Sequence, residues 1–131
     1  YQNGNKKRGE EYNNLSMTIL YKNKSAKEQF CSEYKKKWRY PDQVKKKLEA
    51  AENFIINSDS LMDIVNYVPF RFERLKGNRK DEWSIRLGNT GYRVTMIPCD
   101  DEGNEIVEGD IMAQCKVIKI VKVTEVSNHY E

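Results

Sequence analysis

The chain has 131 residues, of which 38% are hydrophobic and 33% charged, with a net charge of +3. One domain fits that length, because two separate cores would each be marginal. The apolar runs are too short to cross a membrane, no secretory leader is visible, and Cys31, Cys99 and Cys115 with a single histidine suit neither a disulfide framework nor a zinc site. Reduced thiols in a cytoplasm, as inert packing residues, are the simplest expectation.

Residues 1–16 lack apolar periodicity and read as a disordered leader or a cloning remnant, with Met17 as a natural start and the domain over residues 17–131. Thr18 to Tyr21 reads as a short strand. Ser25 with Glu28 has the spacing of a capping box, and Phe30, Tyr34 and Trp38 at spacing four predict a helix running to about Trp38. Asp42 is placed to cap a second helix reaching about Ile56, whose apolar stripe is Val44, Leu48, Ala51 and Ile55. The two helices are expected to form an antiparallel hairpin. Leu61 to Tyr67 adds a short helical turn ended by Pro69.

The period then changes to two. Phe70 and Phe72 alternate with Arg71 and Glu73, and Trp83, Ile85 and Leu87 alternate with Ser84 and Arg86. Gly88-Asn89-Thr90-Gly91 is a hairpin turn leading into the strand Tyr92 to Ile97. An acidic loop over residues 98–112 precedes a long last strand built on Val117, Ile118, Ile120, Val121, Val123 and Val126. The expected class is α+β, with an N-terminal strand and a helical hairpin packed on a small, mainly antiparallel sheet. Strand alternation sets Arg93 and Arg86 on the sheet face away from the helices.

Charge is segregated along the chain. Residues 17–39 sum to +5, residues 40–70 to −2, residues 71–93 to +4, and residues 98–112 to −6. Two basic blocks between acidic ones predict a polyanion-binding face, with simple solvation as the plainer reading. The acidic loop reads as a solvated insertion.

Arg74-Leu75-Lys76-Gly77-Asn78-Arg79, then Trp83-Ser84-Ile85-Arg86-Leu87, then Gly91-Tyr92-Arg93-Val94, with a final strand ending near His129, resembles the RelE/HigB superfamily of toxins, most closely its HigB branch. The resemblance covers roughly residues 17–131 and is sharpest between 74 and 94. It implies the small RelE-like fold and a toxin of a type II toxin–antitoxin pair. Such toxins cut mRNA in the ribosomal A site without a metal or other cofactor, and a HigA-type helix-turn-helix antitoxin neutralises them. Membrane association is not implied.

Metal-free RNA cleavage uses the 2′-hydroxyl as nucleophile and needs a base, an acid and cations for the crowded phosphate. The catalytic candidates are Glu73, Lys76, Arg93 and His129, and the RNA-binding candidates are Arg74, Arg79, Lys80, Arg86 and Tyr130. Glu73 and Arg74 stand where HigB toxins commonly carry His and Pro. The ending Ser127-Asn128-His129 stands for the family's Asp-Tyr-His and aligns equally after a one-residue shift. Three readings stand at this point: an active endoribonuclease; a binding module for RNA, ribosome or antitoxin in which Glu73 marks lost catalysis; and, more weakly, a structural interaction domain with charged faces.

Overall fold

A computed structural model of the chain describes residues 16–128. Residues 1–15 lie outside this range, as do His129, Tyr130 and Glu131. Five strands form one mixed sheet in the order β1-β5-β4-β3-β2: β1 Thr18–Tyr21, β2 Glu73–Arg74, β3 Trp83–Arg86, β4 Tyr92–Cys99 and β5 Ile120–Asn128. β1 runs parallel to β5, and the other pairs are antiparallel. The α+β class expected from the sequence holds.

The first helix departs from expectation. α1 spans Lys24–Phe30, two residues earlier than a Ser25 cap allows, because the Asn23 side chain accepts from Ala26 N at 2.8 Å. It stops at Cys31, whose backbone is extended, and Ser32–Lys37 continues as a 3-10 turn. The break has a local reason. The last carbonyls of a helix lack intrahelical partners. Folding the chain back lets Trp38 Nε1 donate to Glu28 O and the Tyr40 hydroxyl donate to Gln29 O, both at 3.0 Å. One arm of the expected hairpin is thus a short helix and a 3-10 segment.

α2, Asp42–Ile56, buries the predicted stripe of Val44, Leu48, Ala51 and Ile55. Pro41 occupies its cap position, and Asp42 is the first helical residue, where its charge favours the helix dipole without a capping bond. α3 spans Leu61–Asn66 and is capped by Ser60. The chain next makes a 3-10 turn over Val68–Phe70, and Arg71 takes a left-handed conformation at φ 47°. The period-two pattern at Phe70 and Phe72 therefore yields only the two-residue β2.

Helices cover one sheet face. Ile85, Val94, Met96, Val121 and Val123 are fully buried there with Phe30 and Leu48. A bulge interrupts the β4–β5 ladder: Thr95 pairs with Glu125 and Met96 with Val123, leaving Thr124 extra. Below Val123, β5 has β1 as its outer neighbour; beyond it, the Gln29 side chain accepts from Val126 N at 2.7 Å.

The last strand begins at Ile120, later than the apolar run implied, and Val117 is exposed. The acidic segment is solvated as expected, with Asp100, Asp101, Glu102, Glu108 and Asp110 exposed, and it is also ordered. Asp100 Oδ1 accepts from the amides of Glu102 and Asn104, and Asp110 caps a one-turn helix, α4, over Ile111–Gln114. Glu105 also binds Lys122 at 3.3 Å and Lys22 at 3.8 Å, which ties the segment to the sheet. Cys99 and Cys115 are buried and Cys31 is partly so, all as free thiols.

Candidate functional site

The helix-free face of the sheet carries the polar residues of β3, β4 and β5. Register fixes their rows. Glu73 pairs with Ser84, and Ser84 with Thr95; one row on, Arg86 pairs with Arg93, and Arg93 with Ser127. The apolar neighbours Ile85 and Val94 are buried on the other face, so the two guanidinium groups share the open face, as alternation predicts.

Two adjoining clefts result. The first is lined by Glu73, Ser84, Arg86, Tyr92 and Arg93, with the hairpin glycines Gly88 and Gly91 at its end. The second is lined by Glu73, Arg74, Leu75, Lys76, Arg79 and Arg93. Glu73 and Arg93 belong to both. One carboxylate thus sits among cations contributed by a turn and three strands. Arg93 Nε is buried without a hydrogen-bond acceptor among the described residues. A buried unpaired donor of a cationic group is costly, and an anionic oxygen in the cleft would satisfy it.

Lys76 enters its cleft from a tight turn. Gly77 adopts φ 69°, which L-residues rarely take, and the following 3-10 turn Gly77–Arg79 returns the chain to β3. Lys80 closes that turn, is exposed, and lines neither cleft. Arg74 stands over the Trp83 ring at 4.9 Å, and Phe72 stacks on the same indole with centroids 4.8 Å apart. Arg74 is therefore engaged with an aromatic ring while it lines the second cleft. Tyr92 packs edge-on against Tyr40, whose phenol burial pushes up to about 12.

Arg79 is the main departure among the candidates. Its guanidinium donates to Glu82 at 3.0 and 2.7 Å and to Glu125 at 2.6 Å. Glu82 also accepts from the Thr124 hydroxyl at 2.7 Å, and Thr124 meets the Thr95 hydroxyl at 2.6 Å. The bulge makes this network, since it sends both Thr124 and Glu125 to the open face. Hydrogen bonds that Arg79 donates to Glu82 and Glu125 hold it in its charged form. Two carboxylates already neutralise Arg79, so it ties a turn to β5 and has less to offer a phosphate than Lys76, Arg86 or Arg93.

The same network sets an acid response. Hydrogen bonds from Arg79, with a second from Thr124, hold the Glu82 carboxyl below its ordinary value against the opposing effect of burial. A lowered folded-state pKa means the ionised form stabilises the fold. That stabilisation is full above the unfolded value of about 4.3 and is lost as pH falls through the folded one. Urea unfolding from pH 7 to 2 should show a steeper loss below about pH 4.5 in the native protein than in Glu82→Gln. Parallel curves for the two proteins would remove Glu82 from the acid response.

Glu73, Lys76, Arg86 and Arg93 thus converge, with Arg74 and Arg79 alongside. His129 and Tyr130 lie outside the described residues. β5 pairs Asn128 with Tyr92, so its last described residue is registered against a cleft residue. Sequence reading did not find Glu82, Thr95, Thr124 or Glu125; only a bulge joins them, and no local spacing announces one. Among the described residues, no group of three or more His, Cys, Asp or Glu is arranged to hold a metal ion, and no helix is long and apolar enough to cross a membrane. No family model, curated protein or solved structure matches the chain.

Proposed function

We propose that the protein is an endoribonuclease toxin of the RelE-like fold, cutting mRNA in the ribosomal A site, with a helix-turn-helix antitoxin as its partner. One observation carries this reading: Glu73, Arg86 and Arg93 line a single cleft on the open face of the sheet, with Lys76 in the adjoining one. The sequence resemblance supplies the ribosome and the antitoxin; the cleft supplies groups of the right chemistry.

The reaction needs no cofactor. Glu73 accepts the proton of the 2′-hydroxyl, whose oxygen attacks the adjacent phosphorus. The new O2′–P bond forms as the P–O5′ bond breaks, leaving a 2′,3′-cyclic phosphate and a free 5′-hydroxyl. Arg93, Arg86 and Lys76 balance the charge that develops on the phosphoryl oxygens, where fixed cations lower a barrier most. Arg93 and Arg86 sit on paired strands, so little reorganisation is needed at the moment of reaction. The departing O5′ takes its proton from His129, the role the resemblance gives that residue, or from Lys76. These differ in outcome. If His129 is the acid, His129→Ala removes one limb of the pH–rate profile. If Lys76 is the acid, the profile of the chemical step keeps its shape.

Induced expression in bacteria tests the reading as a whole. Growth arrest with mRNA cut within codons is expected, with rescue by a co-expressed helix-turn-helix partner. Normal growth with intact mRNA at high expression would favour a binding module in place of an enzyme.

A further inference from the structure

The outer edge of β3 is only partly covered. β2 pairs with Trp83 and Ser84 alone, so from Ile85 onward that edge has no strand partner among the described residues. A third cleft opens there on the helix side, with a volume of about 160 Å³ and walls that include Lys47, Ala51, Phe54, Tyr67, Phe70 and Arg86. Arg86 lines both this cleft and the one that holds Glu73 and Arg93. The wall between them is thin: a Cβ on Gly88 would lie 2.9 Å from Lys47 Cε, so the lysine stem crosses the hairpin at that glycine.

The floor of this cleft is aromatic. Phe70 is buried, and the Phe54 and Tyr67 rings meet it edge-on with centroids 5.0 and 4.8 Å away. Phe54 and Tyr67 are themselves 4.7 Å apart at 37°, close enough that each ring covers one face of the other and the outward face of Tyr67 is the platform left for a ligand. Tyr67 is 42% exposed. Past Phe54 and Tyr67 the groove continues to Asn53, Asn57, Asp63 and Asn66; Asn57 Nδ2 already donates to Asn53 and Asp63 accepts from Asp59 N, which leaves the Asn66 carboxamide and the remaining acceptor oxygens to meet a base edge. An apolar peptide would gain nothing from Lys47 and Arg86 at the rim. A nucleotide would use all three features: a ring face for its base, a carboxamide and acceptor oxygens for the base edge, and cations for its phosphates.

We propose that this cleft is a nucleobase subsite, taking one unpaired base of a single-stranded RNA whose adjoining phosphates run past Arg86 to Arg93. The inference rests on the RNA-cleaving reading above and adds to it where base contact is made. Specificity for the cut codon would then be set at Tyr67 and Phe54, apart from the reacting phosphate.

A thermodynamic cycle with the full chain tests it. The probes are 2′-O-methyl RNA hexanucleotides, which bind without being cut, one intact and six each lacking one base. Binding is read by fluorescence anisotropy at low salt. Tyr67→Ala should weaken binding of the intact RNA roughly 5- to 100-fold, the usual range for removing one stacking platform. One abasic RNA should weaken wild-type binding similarly, and Tyr67→Ala should cost nothing further on that RNA. Tyr67→Phe should keep the ring and restore affinity, which assigns the effect to the ring and not the hydroxyl, while unchanged binding of the abasic RNA by Tyr67→Ala separates stacking from a loss of fold. Losses that simply add, or wild-type affinity in Tyr67→Ala, would overturn the subsite; the second result would point to a protein surface docking there instead. Absence of any RNA binding would overturn it too, while cleavage on ribosomes remains a separate assay of the function. Arg93→Ala should weaken all seven RNAs alike, so a defect in the phosphate site is told apart from one in the base site.

Discussion

Arg93→Ala should lower the rate of mRNA cleavage about 10²–10³-fold, the usual loss when one preorganised group facing developing charge is removed. The fold should be unaffected. Arg93 is only partly buried, its Nε bonds to nothing among the described residues, and its strand is held by ladders on both sides. Removing it also removes a buried unsatisfied donor, which offsets the loss of its aliphatic contacts. Single-turnover kinetics should show the fall in the maximal rate, with a smaller change in the concentration needed for half-maximal rate. Arg93→Lys keeps a charge but loses the planar fork, so partial activity is expected. An Arg93→Ala protein that arrests growth like the wild type would take Arg93 out of the reaction.

Phe30→Ala should be the most damaging truncation for stability, at about 3–5 kcal/mol. Phe30 has no exposed surface and ends a helix of seven residues. So short a helix is not stable alone, and packing on β5 holds it. The same segment supplies the Gln29 carboxamide that accepts from Val126 N, and the Glu28 and Gln29 carbonyls that receive Trp38 and Tyr40. Loosening Phe30 therefore frees several bonds at once. Against a total stability of about 5–15 kcal/mol for a domain, that loss leaves a large unfolded fraction near 37 °C. Urea denaturation followed by tryptophan fluorescence should show the midpoint falling with little change in slope. A midpoint within experimental error of the wild type would mean α1 is not part of the cooperative core.

Features carried by local periodicity were legible in the sequence. The stripe Val44, Leu48, Ala51 and Ile55 marks α2 because four apolar residues at helical spacing leave little else to choose. Arg86 and Arg93 could be assigned to the open face because each alternates with residues that must be buried. Glu73 and Lys76 are singled out through the resemblance, and whether they meet Arg93 in one place is legible only from the register of β2, β3 and β4. What escaped depended on contacts distant in sequence. Arg79 looks like a free cation in a basic turn until the bulge brings Glu125, 46 residues away, to its guanidinium. The helix through Tyr34 has good spacing, yet two side chains gain more by bonding the end of α1 than by extending it. The aromatic cleft joins Phe54 of α2 to Tyr67 and Phe70 at the 3-10 turn, and neither segment's spacing announces the other.

Cleavage on programmed ribosomes measures the central claim most directly. Purified protein is added to ribosomes carrying a 5′-labelled mRNA with a vacant A site, and the products are resolved by length and end chemistry. A single cut within the A-site codon, leaving a 2′,3′-cyclic phosphate upstream and a 5′-hydroxyl downstream, is the predicted result. The cut should slow about 10²–10³-fold in Arg93→Ala and strongly in Glu73→Gln. Intact mRNA at saturating protein, or product ends bearing a 3′-hydroxyl and 5′-phosphate, would contradict the account.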